Sequence, residues 1–332
     1  MPPNSSPEAA AAAAAYGVLV SYFPAQKPTL DAAYATSLAG ITDGPAEDRG
    51  VLVGQQVAAG IIAARIGDGR DASDTFTPTP QPGVWRPTPP AFRPALTPWL
   101  ANMTPLLLEE ASQFRPGPPP FLDSRQYARD FEETRLYGAS SGSLRTAEQT
   151  ETARFWTEHI ASFYNRNLRR VVSERAFDLR AAARALALTN TVIADSLIAC
   201  WDAKYTYGLW RPVTAIPAGD TDGNSRTTGD PTWEPLLPTP NHPEYPSAHN
   251  CATAGFGAAM AELAGSRRIE LDVDSTVTGT THRFDHVNDL EREIVNARVW
   301  VGYHWRTSDE VGYQLGERVA RWTLQRYFGE ND

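Results

Sequence analysis

A mainly α-helical fold, a bundle crossed by long proline-rich wraps, is predicted by three features of this sequence. Apolar residues recur at helical spacing in most segments, strand signals are limited to one short pair, and prolines gather in two stretches between the helical segments. At 332 residues, with 42% hydrophobic and 21% charged side chains, the chain can bury a substantial core. No internal repeat is visible, so residues 1–332 read as a single all-α domain whose core spans about 174–328.

Taken in order, Pro7 and the alanine-rich run Ala9 to Phe23 predict a first helix, since alanine is the best helix former and proline is accepted in a first turn. Pro24 and Pro28 close it. A second helix is expected over Leu30 to Ile41. A third is expected over Ala46 to Ile66, where Pro45 stands at the start and Val53, Val57, Ile61 and Ile62 fall at helical spacing. Thr77 to Pro98 is too rich in proline for a helix or a central strand, and Arg115 to Pro120 behaves alike. Both are expected to be structural wraps, with Trp85 and Phe92 pinning the first to the body.

Further helices are predicted over Ser124 to Tyr137 and over Glu148 to Asn165, the latter opened by Thr146 with Gln149 three residues on, the signature of a capping box. Glu174 to Tyr205 is apolar nearly all round and reads as a buried central helix. Asp220 to Pro240 is a polar loop. In its DTDGN stretch the glycine and the distal acid do not stand where a calcium loop needs them, and it reads as a surface turn. Ser247 to Leu263, Asp289 to Tyr303 and Asp309 to Phe328 complete the helices, and Ile269 to Val273 with Thr276 to Thr280 is the one strand pair expected.

Thirty basic against thirty-nine acidic residues give a net charge of -9, which opposes bulk electrostatic binding to nucleic acid or anionic membranes, so any anion site must be local. No uninterrupted apolar run reaches the length of a membrane span. Cys200 and Cys251 have no CxxC spacing and read as small buried side chains, a single bridge between them being left open. The run Ala9 to Ala15 follows Glu8 and not a basic stretch, so no export signal is legible.

Three separated pieces supply the inventory of a pocket for a tetrahedral oxyanion. Lys204 and Arg211 in KYTYGLWRP are seven apart, which on a helix puts both on one face, about 10 Å apart along the axis. In HPEYPSAH, Ser247 is a natural N-cap, and a first turn with outward amides at Ser247, Ala248 and His249 is a ready anion site. Arg298 and His304 in RVWVGYH are six apart, about 120° round a helix, inside an apolar stretch that should bury them. Alone, each has an ordinary reading: cations solvating a helix face, a serine capping a helix, a histidine satisfied in the core. His159, His282 and His286 stay in that last class.

In this order, K-x6-R-P, P-S-[small]-H and R-x5-H resemble the signature of the type 2 phosphatidic acid phosphatase and vanadium-dependent haloperoxidase superfamily, over roughly Trp201 to Gly312. The VWRPTPPAF segment is similar to bacterial haloperoxidase-like members. The resemblance implies a helical bundle of that type with vanadate as cofactor and phosphate as an alternative occupant. Lys204, Arg211 and Arg298 would hold the non-bridging oxygens, with Ser247 and the Ala248 amide as further donors. His304 would bond to vanadium or attack phosphate, His249 would be the acid-base group, and Lys204 would polarise bound peroxide. Trp201 and His242 would flank the halide, His242 favouring bromide or iodide. Ala248 replaces the usual glycine, and Ser308 stands where haloperoxidases often carry aspartate, which leaves carboxylate support of His304 unassigned.

The implied activity is oxidation of halide by hydrogen peroxide to a hypohalous acid equivalent that halogenates a small organic substrate. An acid phosphatase, a terpenoid (di)phosphate hydrolase or cyclase, and a non-catalytic phosphate-binding module are the alternatives. The resemblance points to a secreted or periplasmic protein and leaves the oligomeric state open, a homodimer included.

Overall fold

The computed structural model describes residues 3–329, which form two compact units: residues 3–68 with Asp178–Arg180, and Gly69–Phe177 with the chain from Ala181 onward. The first unit is a set of three helices, α1 (Pro7–Tyr22), α2 (Lys27–Ala39) and α3 (Pro45–Ala64). Each carries proline in its first turn, where the missing amide has no intrahelical partner to lose. Small residues make the buried faces: Ala9, Ala10 and Ala13 on α1, Gly50, Gly54 and Ala58 on α3. The larger stripe predicted for α3 is not the packing face, since Val57 and Ile61 are exposed.

In the second unit α4 (Arg125–Gly138) starts where Ser124 accepts the Tyr127 amide, at 3.1 Å. The helix predicted over Glu148 to Asn165 is two, α5 (Ala147–Phe155) and α6 (Ile160–Glu174). The capping box of Thr146 and Gln149 opens α5 as expected. Between the two, Trp156 and Glu158 give their carbonyls to side chains of the candidate site and not to a helix.

α7 (Leu179–Tyr207) begins after Glu174, which closes α6. It is buried chiefly between Leu188 and Lys204, while Leu179 and Leu186 are exposed, so only its second part is the buried central helix that was predicted. By length and composition α7 could cross a membrane, yet 56% of its apolar window is buried inside the protein. Its Asp195 carboxylate accepts the amides of Leu106, Leu107 and Leu108 at 2.6, 2.7 and 3.0 Å, which binds the chain after the proline-rich wrap to the core. Trp85 anchors that wrap, 1% exposed, with its amide donated to Gly208. Phe92 does not; it is 64% exposed.

α8 (Pro212–Ala215) is short, and the DTDGN stretch that follows is a turn with Asp220, Thr221 and Gly223 exposed and Asp222 and Asn224 turned inward, where Asp222 accepts from Thr227 Oγ1 and the Asn224 amide. α9 (Ala248–Ala264) leads to a hairpin of β1 (Arg268–Asp274) and β2 (Thr281–His286), antiparallel with Leu271 opposite Phe284. The second strand lies beyond the predicted Thr276 to Thr280, which form the turn. α10 (Val287–Trp300) and α11 (Arg306–Tyr327) close the bundle.

Phe163, Leu188, Val192, Phe256 and Ile294 typify the main core, where α6, α7, α9 and α10 meet the hairpin. α9 and α11 touch backbone to backbone. A Cβ on Gly312 would come within 2.6 Å of the Ser247 carbonyl, and one on Gly316 would collide with that of Cys251. This contact fixes the first turn of α9 from behind.

Candidate active site

α7 stops at Tyr207, and Gly208 takes a φ of +57°, a conformation glycine adopts without strain. Lys204 therefore lies in the last helical turn while Arg211 sits beyond it in extended backbone. They do not share a helix face, as their spacing predicted, but the turn makes them converge on one segment. Lys204 Nζ donates to the carbonyls of Pro243 (2.8 Å) and Glu244 (3.0 Å), and Arg211 Nε to that of His242 (2.8 Å). Both cations are fully buried. Burial pulls the Lys204 ammonium down to about 8 and Arg211 to about 10.

Arg298 and His304 are also not on one helix. α10 ends at Trp300, and Gly302, at φ +80° with the Gly138 carbonyl close on its Cα, turns the chain so that His304 faces Arg211. Arg211 Nη1 donates to His304 Nε2 at 3.0 Å and to the Tyr303 carbonyl at 2.9 Å. A guanidinium can only donate, so Nε2 is the acceptor and the imidazole proton sits on Nδ1. There Nδ1 donates to Glu244 Oε1 at 2.8 Å. The same carboxylate accepts the Trp305 amide (3.0 Å) and the Ser308 hydroxyl (2.6 Å). Burial, followed by Arg211 and Lys204, holds His304 well below its usual range, and burial lifts Glu244 to about 7 against the pull of Ser308, Arg211 and Lys204. With three donors aimed at it, Glu244 is the ionised partner and His304 the neutral one.

Glu244 was not among the residues singled out from the sequence. The carboxylate that orients His304 comes from ahead of PSAH, and Ser308 steadies it. Asp309 backs a different part of the pocket: its Oδ1 accepts from Asn250 Nδ2 (2.8 Å), which also donates to Ser247 Oγ (3.0 Å). Burial raises the Asp309 carboxyl well above its ordinary value.

Ser247 is the N-cap of α9, yet its hydroxyl does not cap the helix and its amide is committed to the Ser308 carbonyl at 3.0 Å. Intrahelical bonding begins with Cys251 donating to Ser247. Of the three amides expected to point outward, those of Ala248 and His249 remain. Behind this turn Cys200 and Cys251 are both free thiols, fully buried.

Arg298, 1% exposed, donates from Nη1 to the Trp156 carbonyl (2.9 Å) and stacks 4.9 Å from the Tyr303 ring, while its Nε has no hydrogen-bond partner. His249 Nε2 lies 3.3 Å from the Glu158 carbonyl. Burial first, then Arg298, holds His249 well below its usual range. The gap between α5 and α6 thus supplies one carbonyl to Arg298 and another to His249. Trp201 and His242 also meet, ring centroids 5.0 Å apart, with His242 buried between Trp201 and Arg211. His159 is exposed at the start of α6, His282 is held between Glu151 and Glu293, and His286 caps α10. The last two have hydrogen-bond partners but are only partly buried, so none of the three is the core histidine that was expected.

Lys204, Arg211 and Arg298 put three positive charges in one buried region, against one carboxylate at Glu244 and an Asp309 driven toward its protonated form. Such an excess needs an anion. The unpartnered Arg298 Nε, the amides of Ala248 and His249, and the third Lys204 proton are donors suited to a tetrahedral oxyanion. The residues present therefore fit vanadate or phosphate.

Fold and pocket together define a helical-bundle protein with a buried, cation-rich group of donors that fits a small oxyanion. Residues 184–329 match the model of the VCPO second helical-bundle domain, in keeping with the resemblance that the three motifs carry. A curated relative, vanadium chloroperoxidase of Curvularia inaequalis, is 24% identical over 269 residues, 65% of this chain and 43% of that protein; the chain thus spans less than half of its length. The crystal structure of the first bacterial vanadium-dependent iodoperoxidase superposes with a TM-score of 0.77 at 24% identity, over 90% of this chain and 75% of that one. A holo bacterial vanadium-dependent chloroperoxidase gives 0.74 at 19%, over 96% and 81%. At these identities the likeness is one of fold.

Proposed function

We propose that this chain is a vanadium-dependent haloperoxidase that uses hydrogen peroxide to oxidise bromide or iodide. The observation that carries the reading is His304: a neutral imidazole, its proton fixed on Nδ1 by Glu244, presents Nε2 to a buried region with three cations. Lys204, Arg211 and Arg298 would neutralise the oxyanion and the Ala248 amide would add a donor, while His304 Nε2, released from Arg211 Nη1 as that guanidinium turns to the anion, would be the bonding atom. Bound vanadate would supply Lewis-acid activation of hydrogen peroxide. His249, held neutral by burial and Arg298, would serve as the group that takes and returns the proton. Trp201 and His242 wall the halide, and Lys204 adds positive charge where electron density must be withdrawn.

The same neutral Nε2 is also what a phosphohistidine-forming phosphatase requires, so that activity is the second reading. Incubating the metal-free protein with orthovanadate and assaying bromination of a phenol dye with peroxide, beside hydrolysis of p-nitrophenyl phosphate, separates the two. Bromination only with vanadate is expected. Hydrolysis without bromination at any vanadate concentration would overturn the first reading.

Glu244→Gln keeps the side-chain volume but removes the charge that fixes the Nδ1 proton. It is expected to weaken vanadate binding and turnover by about 10- to 100-fold, as losses of a ligand histidine's carboxylate support do. Vanadate titration of activity checks it, and an unchanged half-saturation point would show that the carboxylate does not position His304.

A further inference from the structure

Beside the cradle, opening onto His249, lies a cavity of about 630 Å³. One wall is the α7 stripe of Ile193, Ala194 and Leu197, ending at Trp201; a second is the start of α6 at Ile160 and Tyr164; the third is the end of the proline-rich wrap at Leu96 and Leu100. Its floor is shared by His242, Ala248 and His249, so the cavity is continuous with the acid-base histidine.

Apart from the exposed His159 at its rim, most polar groups on its walls are already engaged. Tyr164 OH pairs with Thr253 Oγ1, Trp201 Nε1 donates to Thr97 Oγ1, Thr157 Oγ1 donates to the Arg154 carbonyl, and Asn165 and Asn190 bond one another. Glu158, the one acidic residue of the lining, is held by Arg166 and the Thr276 amide. No lysine or arginine lines it, and the amides of Ala248 and His249 lie at its floor, toward the cradle, so above the floor the walls hold no fixed positive charge for an anionic ligand. The volume is that of a site for a drug-sized molecule, and apolar walls of this kind bind by removing apolar surface from water.

We propose that this cavity seats the organic co-substrate, a neutral and largely apolar arene or alkene, with its reacting carbon toward His249. The chemistry rests on the haloperoxidase reading; the binding does not. For an arene the step is electrophilic substitution by the hypohalous acid equivalent. A carbon–halogen bond forms, the oxygen–halogen and carbon–hydrogen bonds break, the ring proton and the hydroxide leave as water, and the carbon is oxidised as the halogen is reduced. Halogenation then follows the order in which acceptors fit the cavity, and not their order of reactivity in free solution.

Thymol, a neutral apolar phenol, tests this. Titrated calorimetrically into the full chain saturated with orthophosphate, with no halide or peroxide, it is expected to bind saturably. Leu197→Trp and Ala194→Trp, each placing an indole in the cavity from a partly exposed position, should weaken it by about tenfold or more, a change of about 1.4 kcal/mol. Orthophosphate affinity should stay within about twofold. With vanadate, bromide and peroxide, thymol competing with the anionic dye phenol red should be brominated in excess of the ratio given by free hypobromous acid, and the variants should return to that ratio. No saturable thymol binding, equal affinity in the variants, or a wild-type ratio equal to that of the free reagent would overturn the proposal. If bromide is not oxidised at all, that failure falls on the reading of the reaction, and the calorimetric arm alone supports or overturns the cavity assignment.

Discussion

His304→Ala is expected to lower halide oxidation by on the order of 10³-fold or more, since it removes the atom assigned to bond the oxyanion while leaving the surrounding charges in place. Lys204 keeps its bonds to the Pro243 and Glu244 carbonyls, and Arg211 keeps those to His242 and Tyr303. The variant should therefore still bind orthophosphate, more weakly, and added imidazole should restore part of the activity. Bromination rates with and without imidazole, beside phosphate binding by calorimetry, check this. Full activity in the variant would remove His304 from the mechanism.

Arg298→Ala is expected to weaken vanadate and phosphate binding by about 10- to 100-fold, the worth of one charge-assisted hydrogen bond at about 1.5–3 kcal/mol. Arginine here is unusual among the three cations in having an Nε with no protein partner. The substitution has a second effect whose sign is fixed. Arg298 is one cause of the lowering of His249, so its loss lets that histidine hold a proton to higher pH, and the acid limb of the activity profile should move upward. Lysine at 298 should restore the position of that limb more fully than it restores affinity, because it returns the charge but not the fork. Unchanged vanadate affinity in the alanine variant would sink the assignment of this pocket.

Much of the fold could be read from local signals. Ser124, Thr146 with Gln149, and the leading prolines open helices where the side chain itself supplies or omits one hydrogen bond. Interruptions were harder. The break at 156–159 has no proline or glycine to mark it; it is held open because Trp156 and Glu158 give their carbonyls to Arg298 and His249, contacts remote in sequence. The end of α10 before His304 depends on Gly302, one glycine inside an otherwise apolar helical pattern.

The cations and histidines of the cradle were legible because their order and spacing carry the resemblance, though their convergence comes from turns and not from shared helix faces. Glu244 was not legible. It stands between two prolines on irregular backbone, and its meaning lies in bonds to His304 and Ser308, 60 and 64 residues away. The wrap was read as structural, and its anchors are; yet Leu96 and Leu100 also face the cavity beside His249.

The backbone contact between α9 and α11 links tolerance to mutation with chemistry. Gly312 faces the very residue whose carbonyl starts the α9 ladder and whose amide holds Ser308, the residue that in turn steadies Glu244. A methyl group added there cannot be absorbed by a rotamer, because what it meets is main chain. The helix would have to slide, carrying Ser247 and the Ala248 amide with it. At this seam the packing error that the bundle can accept is no larger than the positional error that the pocket can accept, and two glycines with no polar side chain set the dimensional precision of the site.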